Sequence, residues 1–183
     1  MDAIIAGSQI TKEKRHECFG IVAGGAGSTN PEKYQRSVII DRTATSCPKT
    51  NIRLNFRTNT LCPISKPNMN DDGFDYSEDF DGVQQVWNKK IYINLKCIVG
   101  KGGSQTRSLR EVYWFIEGQL KYLEDHPDEE VCFANILDGD EAHNAMPKFN
   151  YLLSHPDYNH NYIRRRIYVG DLKNYFEWYD GQV

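Results

Sequence analysis

The stretch from Gly82 to Leu137 limits the fold of this chain more than any other part of it. Gly82 to Trp87 and Ile91 to Val99 are two strand-like runs joined by Asn88-Lys89-Lys90, so they read as a β-hairpin. The glycine loop Gly100-Lys101-Gly102-Gly103 leads into a long helix. Its apolar stripe is Leu109, Val112, Tyr113, Ile116, Leu120 and Leu123. A short apolar strand, Val131 to Leu137, comes next. A hairpin followed by a helix and another strand requires a sheet with helices packed on its faces. The hairpin is expected to be its antiparallel part, and the later strands are expected to lie parallel to one another.

The flanking segments extend this pattern. A helix is expected over Thr11 to Val22, stopped by Gly24-Gly25-Ala26-Gly27, whose spacing is wrong for a dinucleotide-binding turn. Tyr34 to Asp41 and Asn51 to Phe56 read as strands, the second by alternation of Ile52, Leu54 and Phe56 with polar neighbours. Pro63 to Glu78 reads as a long acidic loop, Ala145 to Leu153 as a helix, Arg165 to Val169 as a strand and Leu172 to Tyr179 as a last helix. The expectation is one α/β domain with a mixed central β-sheet flanked by helices, and 183 residues suffice for its core.

Composition removes several classes of function. At 26% charged and 12% aromatic the chain is built to fold. It has no apolar run of about 18 residues, so no membrane span is expected. Met1 to Ile10 has no basic stretch before its apolar residues, so a cytoplasmic location is expected. The 5 cysteines form no CxxC pair and read as free thiols, with zinc at Cys47-Pro48 and Cys62-Pro63 disfavoured. The histidines form no metal-binding box and read as surface residues. Asp138-Gly139-Asp140-Glu141 reads as an acidic loop without the pattern of a calcium site. A net charge of −3 argues against a protein that coats nucleic acid indiscriminately, but leaves a site-specific nuclease open.

Phosphodiester hydrolysis calls for a hard cation held by oxygen ligands, and for a protein cation to orient water or offset charge. Glu78-Asp79-Phe80-Asp81-Gly82, followed on the hairpin by Ile93-Asn94-Leu95-Lys96, has a suitable form. Asp81 opens the first strand, and Asn94 and Lys96 project from one face of the second. Simpler readings stand beside this one. Asp81-Gly82 suits an ordinary turn, and Lys96 suits a solvated strand edge. Arg107 and Arg110, with Lys101 and Gln105, sit on a glycine loop and helix start that favour phosphate, and they are the candidate DNA contacts. Arg164-Arg165-Arg166 is a second basic cluster, read as lying on a strand with alternating faces.

The segment over residues 78 to 117 resembles the PD-(D/E)xK nuclease core of type II restriction endonucleases. The resemblance implies a restriction-endonuclease-like fold, one endonuclease domain over residues 1–183 and a catalytic core at about 78–170. It makes Asp81 the first acid and Lys96 the lysine, with the Leu95 carbonyl as a further ligand and Mg²⁺ as the cofactor. Phe80 stands where the family often has proline. Asn94 stands where the second acid usually sits, and there it offers a neutral ligand or an orienting amide. The displaced acid is then Glu111, as in members that move it to the following helix. Glu17 and Asp79 are other candidates for it. Ser108-Leu109-Arg110-Glu111 also fits a helix-capping box, a role that would occupy Glu111. The implied substrate is double-stranded DNA cut at a specific sequence to 5′-phosphate and 3′-hydroxyl ends. A homodimer is expected for a palindromic target, with a heteromeric subunit as another arrangement. A repair or recombination nuclease of the same fold, a DNA- or partner-binding module with a decayed centre, and an α/β protein with no nucleic-acid role stay open.

Overall fold

The computed structural model describes residues 30–64, 67, 73–158 and 160–183. The expected helix over Thr11 to Val22, the glycine run after it, and Glu17 lie outside the described residues. The elements are α1 (Asn30–Thr43), β1 (Ile52–Asn55), β2 (Thr60–Pro63), β3 (Gly82–Val86), β4 (Lys89–Cys97), α2 (Gly103–Asp125), β5 (Val131–Asp138), α3 (Asp140–Leu153), a 3₁₀ turn (Pro156–Tyr158), α4 (Asn161–Arg166), β6 (Ile167–Gly170) and α5 (Leu172–Asp180).

The main sheet has the order β3-β4-β5-β6. The β3–β4 hairpin is antiparallel, with Gly82 opposite Ile93. β4 pairs parallel with β5 (Lys96 opposite Leu137), and β5 pairs parallel with β6. The mixed sheet, its antiparallel hairpin and its parallel later strands match the sequence expectation. Alternation along the strands divides the core in two. Tyr92, Phe133 and Leu137 pack beneath α2, α3 and α4, while Ile91, Ile93, Leu95, Ala134 and Ile136 pack against α1 and α5.

Four expectations are corrected. Tyr34 to Asp41 is not a strand but the body of α1. The run Val38-Ile39-Ile40 suggests β structure. The helix prevails because Pro31 suits a first turn and because Gln35 and Ile39, four apart, are both buried against the sheet. A buried glutamine on that face and an exposed Ile40 hide the helical period. The loop assigned from Pro63 is shorter at its start, since Thr60–Pro63 pairs with β1 as a second hairpin. Arg164-Arg165-Arg166 closes the helix α4, and the strand begins only at Ile167. Asp138-Gly139-Asp140-Glu141 is no loop of its own: Asp138 is the last residue of β5 and Asp140 the first of α3, with Gly139 alone between them.

The segment 73–80 carries the chain from the small hairpin to the large one. It runs beside β1, with Ser77 N–H donating to Leu54 O at 2.9 Å and Phe80 N–H to Ile52 O at 3.1 Å. Phe80 then enters the core, with ring centroids 4.9 Å from Phe115, 5.2 Å from Tyr92 and 5.5 Å from Phe133. This buried ring fixes where the acids on either side of it emerge.

Candidate active site

β3 begins one residue after Asp81, and that determines what its carboxylate does. N–H groups of alternate residues on β4 face β3, and Leu95 is the next of them beyond the Gly82–Ile93 pair. The strand-like partner would be Phe80, but its carbonyl accepts from Thr50 Oγ1 at 3.0 Å. Asp81 Oδ2 therefore accepts the Leu95 N–H, at 2.8 Å. The Leu95 carbonyl leaves the strand on the same edge as its N–H, toward Asp81. Burial raises the Asp81 pKa above the ordinary carboxylate value, and the Leu95 N–H, Lys96 and Arg36 only partly offset this.

Lys96, next along β4, carries its ammonium 2.9 Å from Glu78 Oε2. Burial alone would lower its pKa. The carboxylates of Glu78, Asp81 and Glu32 outweigh burial and leave it raised. Lys96 is thus held as a cation across neutral pH. It suits charge stabilisation and water orientation rather than proton abstraction. Asp81 and Lys96 lie at the same end of the hairpin and within each other's field.

The other expected site residues separate. Asn94 is turned under α2 and 2% exposed, with Nδ2 donating to Asn135 Oδ1 at 3.2 Å. Asn135 in turn exchanges hydrogen bonds with Gln119 of α2. Asn94 is a member of this buried amide network. Asp79 points outward and pairs with Arg53 at 3.1 Å. Glu111 is exposed and shares a cleft with Lys96, Glu78, Arg107 and Arg110.

The capping box is corrected as well. α2 starts at Gly103 after Gly102, with no side-chain cap, so Ser108 and Glu111 lie inside the helix. No proline or further glycine between Gly103 and Ser108 stops the helix from starting early. Arg107 and Arg110 consequently stand past the free N–H groups of the first turn, while Lys101 and Gln105 flank them. Of the second basic cluster, Arg166 is engaged within the fold, donating to the carbonyls of Val131, His126 and Pro127.

Three groups at the site escaped the sequence reading. Glu78 lies three residues before Asp81, and only the fold brings it to Lys96. Arg36 donates to the Asp81 carbonyl, and Gln35 donates to Lys96 O at 3.3 Å and to Asp138 Oδ2 at 2.6 Å. Both lie on α1, where a strand over Tyr34 to Asp41 would not place them at the site. The signal present in the sequence is Pro31 at a helix start, with Gln35 and Ile39 four residues apart after it.

The donor set suits a hard, hydrated cation. Asp81 has an oxygen not taken by Leu95, the Leu95 carbonyl lies on the same edge, and Glu78 stands by the lysine. Among the described residues no three His, Cys, Asp or Glu side chains gather closely enough to enclose an ion. Of the described cysteines, Cys47 and Cys132 are buried and Cys62 and Cys97 half-buried, and Cys47, Cys62 and Cys132 are free thiols. Among the described residues no helix is long and apolar enough to cross a membrane. Comparison with known protein families, curated proteins and solved structures finds no match to this chain.

Proposed function

We propose that this chain is a Mg²⁺-dependent endonuclease that hydrolyses double-stranded DNA at a specific sequence, like the type II restriction endonucleases it resembles. The observation that carries this reading is the juxtaposition of Asp81 and Lys96 at one end of the β3–β4 hairpin, coupled through the Leu95 N–H and through their mutual field. Asp81 and the Leu95 carbonyl offer the metal ligands, with Glu111 or Glu78 supplying a further carboxylate from the cleft. The bound ion would make a water acidic and offset charge on the phosphoryl oxygens. Lys96 holds its positive charge beside the same phosphate and orients the water. Arg107 and Arg110 provide phosphate contacts along the cleft. A palindromic target calls for two copies of the chain.

Plasmid DNA incubated with and without Mg²⁺ tests the reading. Wild type is expected to cut only with the ion. Asp81→Ala and Lys96→Ala are each expected to lose about 100-fold or more in rate while still binding DNA. A wild-type protein inert on all DNA, or variants that cut as well as wild type, would count decisively against it. The second reading is an inactive DNA- or partner-binding module, favoured by the burial of Asn94 against Asn135, at the position where the resembled family usually carries its second acid. Calorimetry separates the two, because a decayed centre takes up no Mg²⁺ that Asp81→Ala abolishes.

A further inference from the structure

Three aromatic rings lie uncovered on one side of α2: Phe56 (42% exposed), Phe74 (87%) and Trp114 (61%). Single exposed aromatics are ordinary. These three line one cleft of about 700 Å³ together with Glu78, Lys96, Arg107, Arg110 and Glu111. That volume is in the range of small-ligand sites. At Gly118 the ring of Phe56 lies against bare helix, where an added Cβ would fall 2.7 Å from Phe56 Cε1 and 2.8 Å from Leu54 Cδ2. This close approach brings Phe56 beside Trp114, one turn earlier on α2. Past Gly118 the same rings border a groove lined by Glu117, Lys121, Glu124 and Asp125. Lys121 there is paired with Glu117 at 3.5 Å.

We propose that this cleft receives one unpaired nucleobase of the DNA, from a single strand or turned out of a duplex. The inference rests on the nuclease reading for the identity of the polymer. The aromatic faces supply stacking, which tolerates any base. Arg107 and Arg110 take the adjoining phosphate, next to Lys96. The carboxylates beyond Gly118 repel a second phosphate, so charge limits the subsite to a single nucleotide. The cleft thereby offers aromatic faces to a base and the guanidinium groups of Arg107 and Arg110 to its phosphate.

Fluorescence anisotropy in EDTA measures binding without cutting. The probes are labelled (dT)12, a fully paired duplex, and the same duplex with one base opposite an abasic site. Trp114→Ala is expected to bind (dT)12, or the abasic duplex, about tenfold more weakly than wild type and the paired duplex about equally. Loss on (dT)12 alone assigns the base to a single strand, and loss on the abasic duplex assigns it to a flipped nucleotide. Trp114→Phe is expected to keep most of the affinity. Equal binding of all probes by Trp114→Ala and wild type overturns the proposal, as does an equal loss on all three. A wild-type dimer that Trp114→Ala converts to monomer in light scattering also overturns it, by giving the face to a second copy. Plasmid cutting by Asp81→Ala is read separately: if that variant cuts normally, the nuclease reading falls and the anisotropy result still decides this one.

Discussion

The position of Asn94 sets what a single substitution can do at this site. Replacing it with aspartate would restore the acid-x-lysine pattern of the nucleases the segment resembles. Yet the side chain is buried against Asn135 and Gln119, away from solvent and from the cleft. A carboxylate there would be desolvated and would face the Asn135 Oδ1 that now accepts a hydrogen bond. Asn94→Asp is therefore expected to lower stability by about 2–3 kcal/mol, seen as a lower denaturant midpoint, without tightening Mg²⁺ in calorimetry. A variant that is stable and binds the ion more tightly would show that the position reaches the metal. The juxtaposition of Asp81 and Lys96 was legible from sequence because it follows from hairpin pairing and strand alternation, which are local. The partner of Asn94 lies on β5 and its network on α2, contacts that spacing along one strand does not encode.

At the scale of elements, the long helix, the hairpin and the apolar strand were readable because each carries a period matching its structure. α1 was not readable, since its buried face includes Gln35, whose value lies in reaching Lys96 O and Asp138 across the sheet. A residue selected for a distant polar contact spoils the apolar period that would reveal its helix. The join between β5 and α3 is likewise tertiary in origin. Gly139 has φ of 104°, and a Cβ on it would lie 2.2 Å from Ile98 O. That carbonyl also accepts the N–H groups of Glu141 and Ala142, at 3.2 and 3.4 Å. The neighbour is backbone of the strand end after β4 and cannot swing aside. Gly139→Ala is accordingly expected to cost about 3 kcal/mol or more, read as a lower thermal midpoint. A loss below about 1 kcal/mol would mean the strand end and α3 part easily.

For the molecule as a whole, Asp138 ties α1 and α5 to the end of β5 on one face of the sheet and shapes how stability varies with pH. It is fully buried, accepting from Gln35 of α1 at 2.6 Å and from the Leu172 N–H that starts α5 at 3.2 Å. Burial pushes its carboxyl from 3.8 up to about 7, despite those two donors. The folded state thus keeps a proton that the unfolded chain gives up. The contribution of this group to stability is full below pH 3.8 and declines as pH rises to about 7. Asp138→Asn keeps a neutral group of the same shape. The gap between wild type and variant in thermal midpoint is expected to shift in the variant's favour across that window, by an amount worth a few kcal/mol. Parallel profiles would show that Asp138 titrates like an ordinary carboxylate.

The ring of Phe80 has a consequence for how such a site can change over time. Glu78 and Asp81 emerge on either side of a side chain wedged among Tyr92, Phe115 and Phe133. The distance between those acids is thereby tied to the shape of the hydrophobic interior. Under the proposed nuclease reading, a change of ion preference by drift in the acids alone has little room, while a conservative exchange at Phe115 or Phe133 moves both acids at once. Selection on chemistry and selection on packing here act on the same atoms.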